Sequence, residues 1–295
     1  MKVLITGGCG LLARNLTREL EERHEVLLLD RNRPDEANAF QIGFAPFETE
    51  HLFIQAQITD PEAMLKAMEG VDAVVHLAAS VTGLPEFGVE TFRDNALGTF
   101  IVLDAARQSG VKRVLCASSI NAFGTIYWRL SGRPVEYKTM PLTEAFPVVP
   151  EDPYSLSKYL NEETCAAFNR AYGITTAAFR FSGVWRDELY RSTLEAGLCP
   201  TLAWSDDVFQ WVHIDDIATG LRQALEYPNL PGFGVYTLAA ADTRCKEPTM
   251  EILSKYRPDL AVNLTEPLPG RTTLMSITKA RNTFGYSPRY LLGDL

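Results

Sequence analysis

Apolar residues over the first 120 positions follow two alternating rhythms. Short runs are apolar at nearly every position: Val3-Leu4-Ile5, Val26 to Leu29, Val71 to Leu77 and Val114 to Ala117, with Phe53 to Ile58 as a weaker fifth. Between them lie longer segments in which apolar residues recur every three or four positions. Leu12, Leu16 and Leu20 form one stripe and predict a helix over Leu12 to Glu22. Pro61 to Met68 opens a second helix, with proline at a permitted first-turn position, and Thr91 to Ser109 predicts a long third. Strands apolar on both faces need cover on both sides, and helices between them provide it. With right-handed crossovers the expected class is α/β, a doubly wound parallel sheet.

The pattern changes after residue 124. Gly124 to Pro153 contains five prolines (Pro134, Pro141, Pro147, Pro150, Pro153) and no clear period, so it reads as loop. Tyr154 to Tyr172 then predicts a helix, Thr175 to Phe181 a strand and Asp215 to Glu226 another helix. The stretches 183–212 and 243 onward break the alternation. The expected organisation is a nucleotide-binding domain over 1–182 carrying the reactive residues, and a small, mainly substrate-binding C-terminal domain over 183–295. Residues from about 207 to 240 return to the first domain.

Composition narrows the function classes. Lys plus Arg total 28 against 37 Asp plus Glu, a formal net charge of −9, so no basic surplus exists to hold nucleic acid or an anionic membrane. No apolar run approaches the ~20 residues of a membrane span, and the run after Lys2 ends too soon, at Gly7-Gly8, for a signal peptide. The five cysteines are odd in number and scattered without a Cys-x-x-Cys pair, and the four histidines lie far apart. A cytoplasmic protein with reduced thiols and no metal is expected.

Two segments carry candidate chemistry. Thr6-Gly7-Gly8-Cys9-Gly10-Leu11-Leu12-Ala13 follows the first strand and opens the first helix. Glycines there allow a tight turn and let backbone N–H groups approach a pyrophosphate at the positive helix end. Asp30 ends the second strand 20 residues after Gly10, where a carboxylate accepts from an adenosine ribose and repels a 2′-phosphate. NAD is thus favoured over NADP, although Arg31 and Arg33 beside Asp30 leave the latter open. The second segment is Tyr154-Ser155-Leu156-Ser157-Lys158, whose Tyr and Lys share a helix face. A neighbouring ammonium lowers a phenol pKa from its usual ~10, so Tyr154 suits proton transfer to and from a substrate hydroxyl. Ser118 and Ser119 end the fifth strand, at the sheet edge where ligands of such folds bind.

With these motifs in their order, the chain resembles the extended short-chain dehydrogenase/reductases, and within them the NAD-dependent epimerase/dehydratase family. The resemblance covers nearly the whole chain and implies a Rossmann fold. It implies Ser119, Tyr154 and Lys158 as the catalytic set. Cofactor contacts follow at Gly7, Gly10, Leu11, Leu12, Asp30, Arg31, Gln57, Ile58, Leu77, Ala78, Ala79, Asn95 and Ala117, together with Tyr154 and Lys158. His76 to Ala79 matches the segment passing beside the cofactor, and Val212 to Asp216 the family's late segment, with His213 in a structural hydrogen-bonding role. The family also implies a homodimer through the helices near 91–109 and 154–172.

Departures from the family bear on substrate. Dehydratases of the family follow the catalytic hydroxyl residue with Asp-Glu, whereas Ile120-Asn121 stands here, which makes dehydration an unsuitable reading. Nucleotide-sugar epimerases carry an asparagine where Gly183 stands and often an arginine where Phe209 stands. Candidate substrate contacts are Ser80, Thr82, Ser119, Asn121, Arg180 and Trp185, with Trp204 as a further wall and Arg186 or Arg191 as partners for a carboxylate. The expected activity is hydride transfer between a sugar or sugar-acid hydroxyl carbon and NAD. The alternatives are a UDP-sugar epimerase with tightly bound, recycled NAD, and a non-catalytic NAD-binding protein.

Overall fold

The computed structural model describes residues 1–36 and 46–293. Among them, seven strands form one sheet: β1 (Lys2–Thr6), β2 (Glu25–Asp30), β3 (Leu52–Gln55), β4 (Ala73–His76), β5 (Arg113–Ala117), β6 (Thr175–Phe181) and, near the end of the chain, Phe233–Leu238. Two short strands, β7 (Val184–Trp185) and β8 (Val212–His213), pair separately and make the last sheet strand β9. The order is β3-β2-β1-β4-β5-β6-β9, and each adjacent pair is parallel. The order reverses direction between β1 and β4, the place where open sheets of this class leave a crevice at the carboxyl ends of their strands.

Alternation within each strand divides the core in two. Val3, Ile5, Val26 and Leu28 face one side of the sheet, where they meet α1 (Leu11–Leu20) through Leu16 and Leu20. Leu4, Leu27, Leu29, Val74 and Val114 face the other, against α2 (Pro61–Ala67) through Met64. Both faces being buried explains runs that are apolar at consecutive positions. Each fully buried Leu or Val contributes about 1.5–3 kcal/mol of transfer free energy.

The predicted long third helix is broken. It comprises α3 (Gly88–Phe92), a π-helical turn over Arg93–Leu97 and α4 (Gly98–Gln108). The wide turn carries Asn95 inward to complete burial. Next comes α5 (Pro153–Tyr172), capped by the Asp152 carboxylate, which accepts from the Ser155 N–H at 2.9 Å. Helix α4 and helix α5 join α2 on one face through Val102, Leu103, Cys165 and Phe168. After α6 (Asp187–Ala196), α7 (Ile214–Glu226) packs along α1 on the opposite face. The remaining helices are α8 (Thr249–Tyr256), α9 (Pro258–Ala261) and α10 (Thr278–Phe284). All five cysteines are free thiols. No helix of the described residues is long and apolar enough to cross a membrane, and none of them gathers three or more His, Cys, Asp or Glu into a metal-binding group.

Candidate active site

A cavity of about 730 Å³ runs along the carboxyl ends of β1, β2, β4, β5 and β6. One end is formed by the β1–α1 turn. Gly7 sits there at φ +73°, and a Cβ on it would lie 2.7 Å from the Ala78 nitrogen, so only glycine fits. The next residues spend their N–H groups locally: Gly8 donates to Leu29 O, Gly10 to Gly7 O and Cys9 to the Asp30 carboxylate. Gly10 is the N-cap of α1 and has no side chain to cap it. The first-turn N–H groups of Leu11, Leu12 and Ala13 precede the first intrahelical bond, Arg14 N to Gly10 O, and all three residues line the cavity. This is the donor set that a pyrophosphate takes at a helix N-terminus.

Asp30 lies beside this turn. Its carboxylate accepts the Cys9 and Asn32 N–H groups, both at 3.0 Å, and keeps acceptor capacity for ribose hydroxyls. Arg31 reaches Asp94 at 3.4 Å and Arg33 holds Asp35 at 3.0 Å, so both are drawn away from Asp30. An adenosine ribose fits this arrangement, and a 2′-phosphate would meet the carboxylate. Gln57 and Ile58 line the cavity beyond β3, and Leu77, Ala78 and Ala79 line it after β4. His76 itself is buried, bonded to the hydroxyls of Thr6 and Thr99 at 2.7 and 3.0 Å, and its pKa is pushed down to about 3 by burial.

The other end lies over β5 and β6. Ala117, Ser118 and Ser119 end β5, and Ser119 caps a short 3-10 turn by accepting the Asn121 N–H at 3.1 Å. That turn closes at Gly124, with φ +72°, where a Cβ would fall 2.1 Å from the Val149 carbonyl oxygen. Tyr154 and Lys158 occupy successive turns of α5 and both line the cavity. Burial pushes the Tyr154 phenol up to about 12, opposed by its hydrogen bond with Ser119. Burial also draws the Lys158 ammonium down to about 8. Lys158 Nζ donates to Ala117 O at 3.0 Å and lies 5.6 Å from the centre of the Tyr154 ring. The phenol thus stands above its ordinary value, opposite to the lowering expected from the lysine, with desolvation as the leading cause and the Ser119 hydrogen bond opposing it.

Five predicted contacts do not line the cavity. Asn95 does not line the cavity; its side chain accepts the Ser80 N–H at 2.7 Å and donates to Ser80 O and Ser157 Oγ, each at 2.9 Å, and so braces the wall. Arg180 is only 3% exposed and bidentate to Glu162 at 2.8 and 2.7 Å, with Ser118 Oγ donating to the same carboxylate at 2.6 Å. Trp185 packs 5.0 Å from the Trp211 ring instead of forming a wall. Thr82 turns its hydroxyl to the Leu84 N–H at 3.2 Å. Trp204 likewise lies outside, donating to Asp206 at 2.9 Å. Arg186 and Arg191 line a separate cavity of about 890 Å³ beside α1. His213 caps α7 by accepting the Asp215 N–H at 3.2 Å and stacks on Tyr290.

Sequence reading missed several walls. Tyr127 and Trp128 come from the proline-rich loop, with left-handed backbone (φ +51° and +30°), and the Trp128 ring meets Tyr154 edge-on at 5.5 Å. Phe181, Ser182, Gly183 and Val184 line the far end. Positive φ at two consecutive aromatic residues was the one signal available, and it is invisible without coordinates.

A model of the NAD dependent epimerase/dehydratase family matches residues 3–239. A putative UDP-glucose 4-epimerase from Methanocaldococcus jannaschii is 31% identical over 187 residues, covering 62% of this chain; the match spans only 56% of that relative's length. The uronate dehydrogenase of Pseudomonas syringae pv. tomato is 27% identical over 237 residues, covering 80% of this chain and 73% of the relative. Among solved structures, a short-chain dehydrogenase/reductase superfamily protein from Agrobacterium tumefaciens with bound NAD gives a TM-score of 0.70 at 22% identity. That match covers 99% of this chain and 94% of the other and speaks for the fold.

Proposed function

Because the chain belongs to the NAD-dependent epimerase/dehydratase family, with NAD as cofactor, we propose that it is an oxidoreductase moving hydride between NAD and a hydroxyl-bearing carbon of a sugar-class substrate. The observation that carries this reading is the position of Ser119, Tyr154 and Lys158 around one cavity that also holds the uncapped α1 turn and Asp30. NAD, bound along that cavity, supplies the hydride acceptor or donor.

The chain's own residues handle the proton. Ser119 Oγ, fixed by the Asn121 N–H, orients the substrate oxygen beside the Tyr154 phenol. In oxidation the substrate O–H proton passes to Tyr154 in its phenolate form, giving the neutral phenol, while the C–H pair leaves as hydride for NAD and C=O forms; in reduction the neutral phenol returns the proton. With its pKa raised to about 12 by burial, Tyr154 is protonated and set up as the acid of the reducing direction. To act as base it needs a nearby positive charge, and Lys158 carries one below a pH of about 8. Ile120 and Asn121, next to Ser119, supply neither the acid nor the base that expulsion of water requires.

The test is reduced-cofactor absorbance with purified protein, NAD and a panel of sugars. Tyr154→Phe should lose at least a hundredfold in kcat while keeping NAD binding; undiminished turnover in that variant refutes the assignment. A second reading has support from the 31% identity to a putative UDP-glucose 4-epimerase. In it the keto intermediate takes hydride back on its other face, and no NADH accumulates while a nucleotide sugar is converted. We further propose a cytoplasmic homodimer, formed through the exposed Phe92, Leu97 and Phe100 beside Leu156 and Tyr172 of α5.

A further inference from the structure

The substrate end of the cavity has an unusual charge balance. The charged residues lining the whole cavity are Asp30, Arg31, Asp94 and Lys158. The first three belong to the ribose end, and Lys158 is tied to the Ala117 carbonyl. Three arginines near the substrate end are matched by carboxylates: Arg180 by Glu162 at 2.7 Å, Arg129 by Glu151 at 3.4 Å and Arg244 by Asp207 at 2.6 Å. The stretches outside the described residues, 37–45 and 294–295, contain no Lys or Arg, so they bring none. An anion placed beyond Tyr154 would lose its hydration and find Lys158, already bonded to the Ala117 carbonyl, as its one counter-charge among the lining residues.

Two neutral polar groups at the same end lack partners. Asn121 Oδ1 and Ser182 Oγ are buried without a hydrogen bond, and both residues line the cavity among Tyr127, Trp128 and Val184. A buried polar atom without a partner is costly and gains one when a ligand hydroxyl arrives.

The geometry points to an uncharged polyhydroxy substrate, a free aldose or polyol, selected against uronic acids and nucleotide diphospho-sugars, with Asn121 and Ser182 taking hydroxyls other than the reacting one. The proposal rests on the hydride-transfer chemistry assigned to Tyr154, and its test reads binding separately from turnover. Calorimetry on the protein–NADH complex would compare galactose and glucose with galacturonate, glucuronate and the corresponding UDP-sugars. The neutral sugar should bind at least tenfold more tightly than its acid, and Ser182→Ala and Asn121→Ala should each weaken it several-fold while leaving NADH affinity unchanged. Val184, 44% exposed, tolerates a longer side chain; Val184→Lys should bring the acid up by tenfold or more. Tighter binding of a uronate or UDP-sugar by the unaltered protein, or no binding by any neutral sugar, overturns the proposal. Selective binding of a neutral sugar without its oxidation would leave the proposal standing and remove the dehydrogenase reading instead.

Discussion

Glu162→Ala isolates the buried charge pair that holds β6 against α5. Glu162 and Arg180 are each 3% exposed and joined by two bonds of 2.8 and 2.7 Å, with Ser118 Oγ on the same carboxylate at 2.6 Å. Removing the carboxylate leaves a guanidinium in the core, a change that costs about 3–5 kcal/mol. The Ser118 hydroxyl loses its acceptor as well, for roughly 1 kcal/mol more. Two contacts soften the loss: the guanidinium lies 4.3 Å over the Phe123 ring, and Nη1 donates weakly to Glu144 O at 3.4 Å. The expected net cost is about 4 kcal/mol, a fall in Tm of about 6 °C. Differential scanning calorimetry and urea unfolding measure it. The double variant Glu162→Leu with Arg180→Met removes both charges and should recover most of the loss, because the cost lies in the unpaired ion. A single variant within about 1 kcal/mol of the parent, or a double variant worse than the single one, refutes this account.

Three further outcomes are expected. Burial draws Lys158 down to about 8 from an ordinary 10.5, so the unfolded chain binds more protons between those values and stability rises with pH there. The stability of the parent relative to Lys158→Met should climb by about 3 kcal/mol across that window, measured by urea titrations; a flat difference refutes it. His76, held near 3 against 6.5, gives stability that is lost as pH falls from 6.5 toward 3, by up to about 5 kcal/mol, and acid unfolding of His76→Asn should be less steep. Asp30→Ala should weaken NAD about tenfold, roughly 1.4 kcal/mol, and narrow the preference over NADP; fluorescence titration showing an unchanged ratio rejects the ribose role.

The cofactor half of the site was legible because its signals are local. The glycine turn, the strand before it and the helix after it are contiguous, and Asp30 falls at the end of the next apolar run. Tyr154 and Lys158 were legible for the same reason, being one turn apart on a helix. Arg180 misled because a cation at a strand end looks available until its partner is known. That partner, Glu162, sits a full helix face away in sequence. Asn95 misled differently: it was named from the family resemblance, and the π-helical turn carries it inward to Ser80 and Ser157. Tyr127 and Trp128 left no trace, since the proline-rich segment has no periodicity and its course depends on contacts with Gly83 and Tyr154.

The cavity's two halves are made of different material. Gly7, Ala78 and the first turn of α1 belong to the tightly packed sheet, and a single methyl group at Gly7 would collide with backbone. Tyr127 and Trp128 on the proline-rich segment and Val184 on the short strand β7 stand outside it, with Tyr127 and Val184 about half in contact with water. Substitutions in those segments alter the shape offered to a substrate without disturbing the layers that fold the chain. Changes of substrate are therefore accessible by few mutations, for a laboratory or for descent, whereas a change of cofactor has to pass through the core.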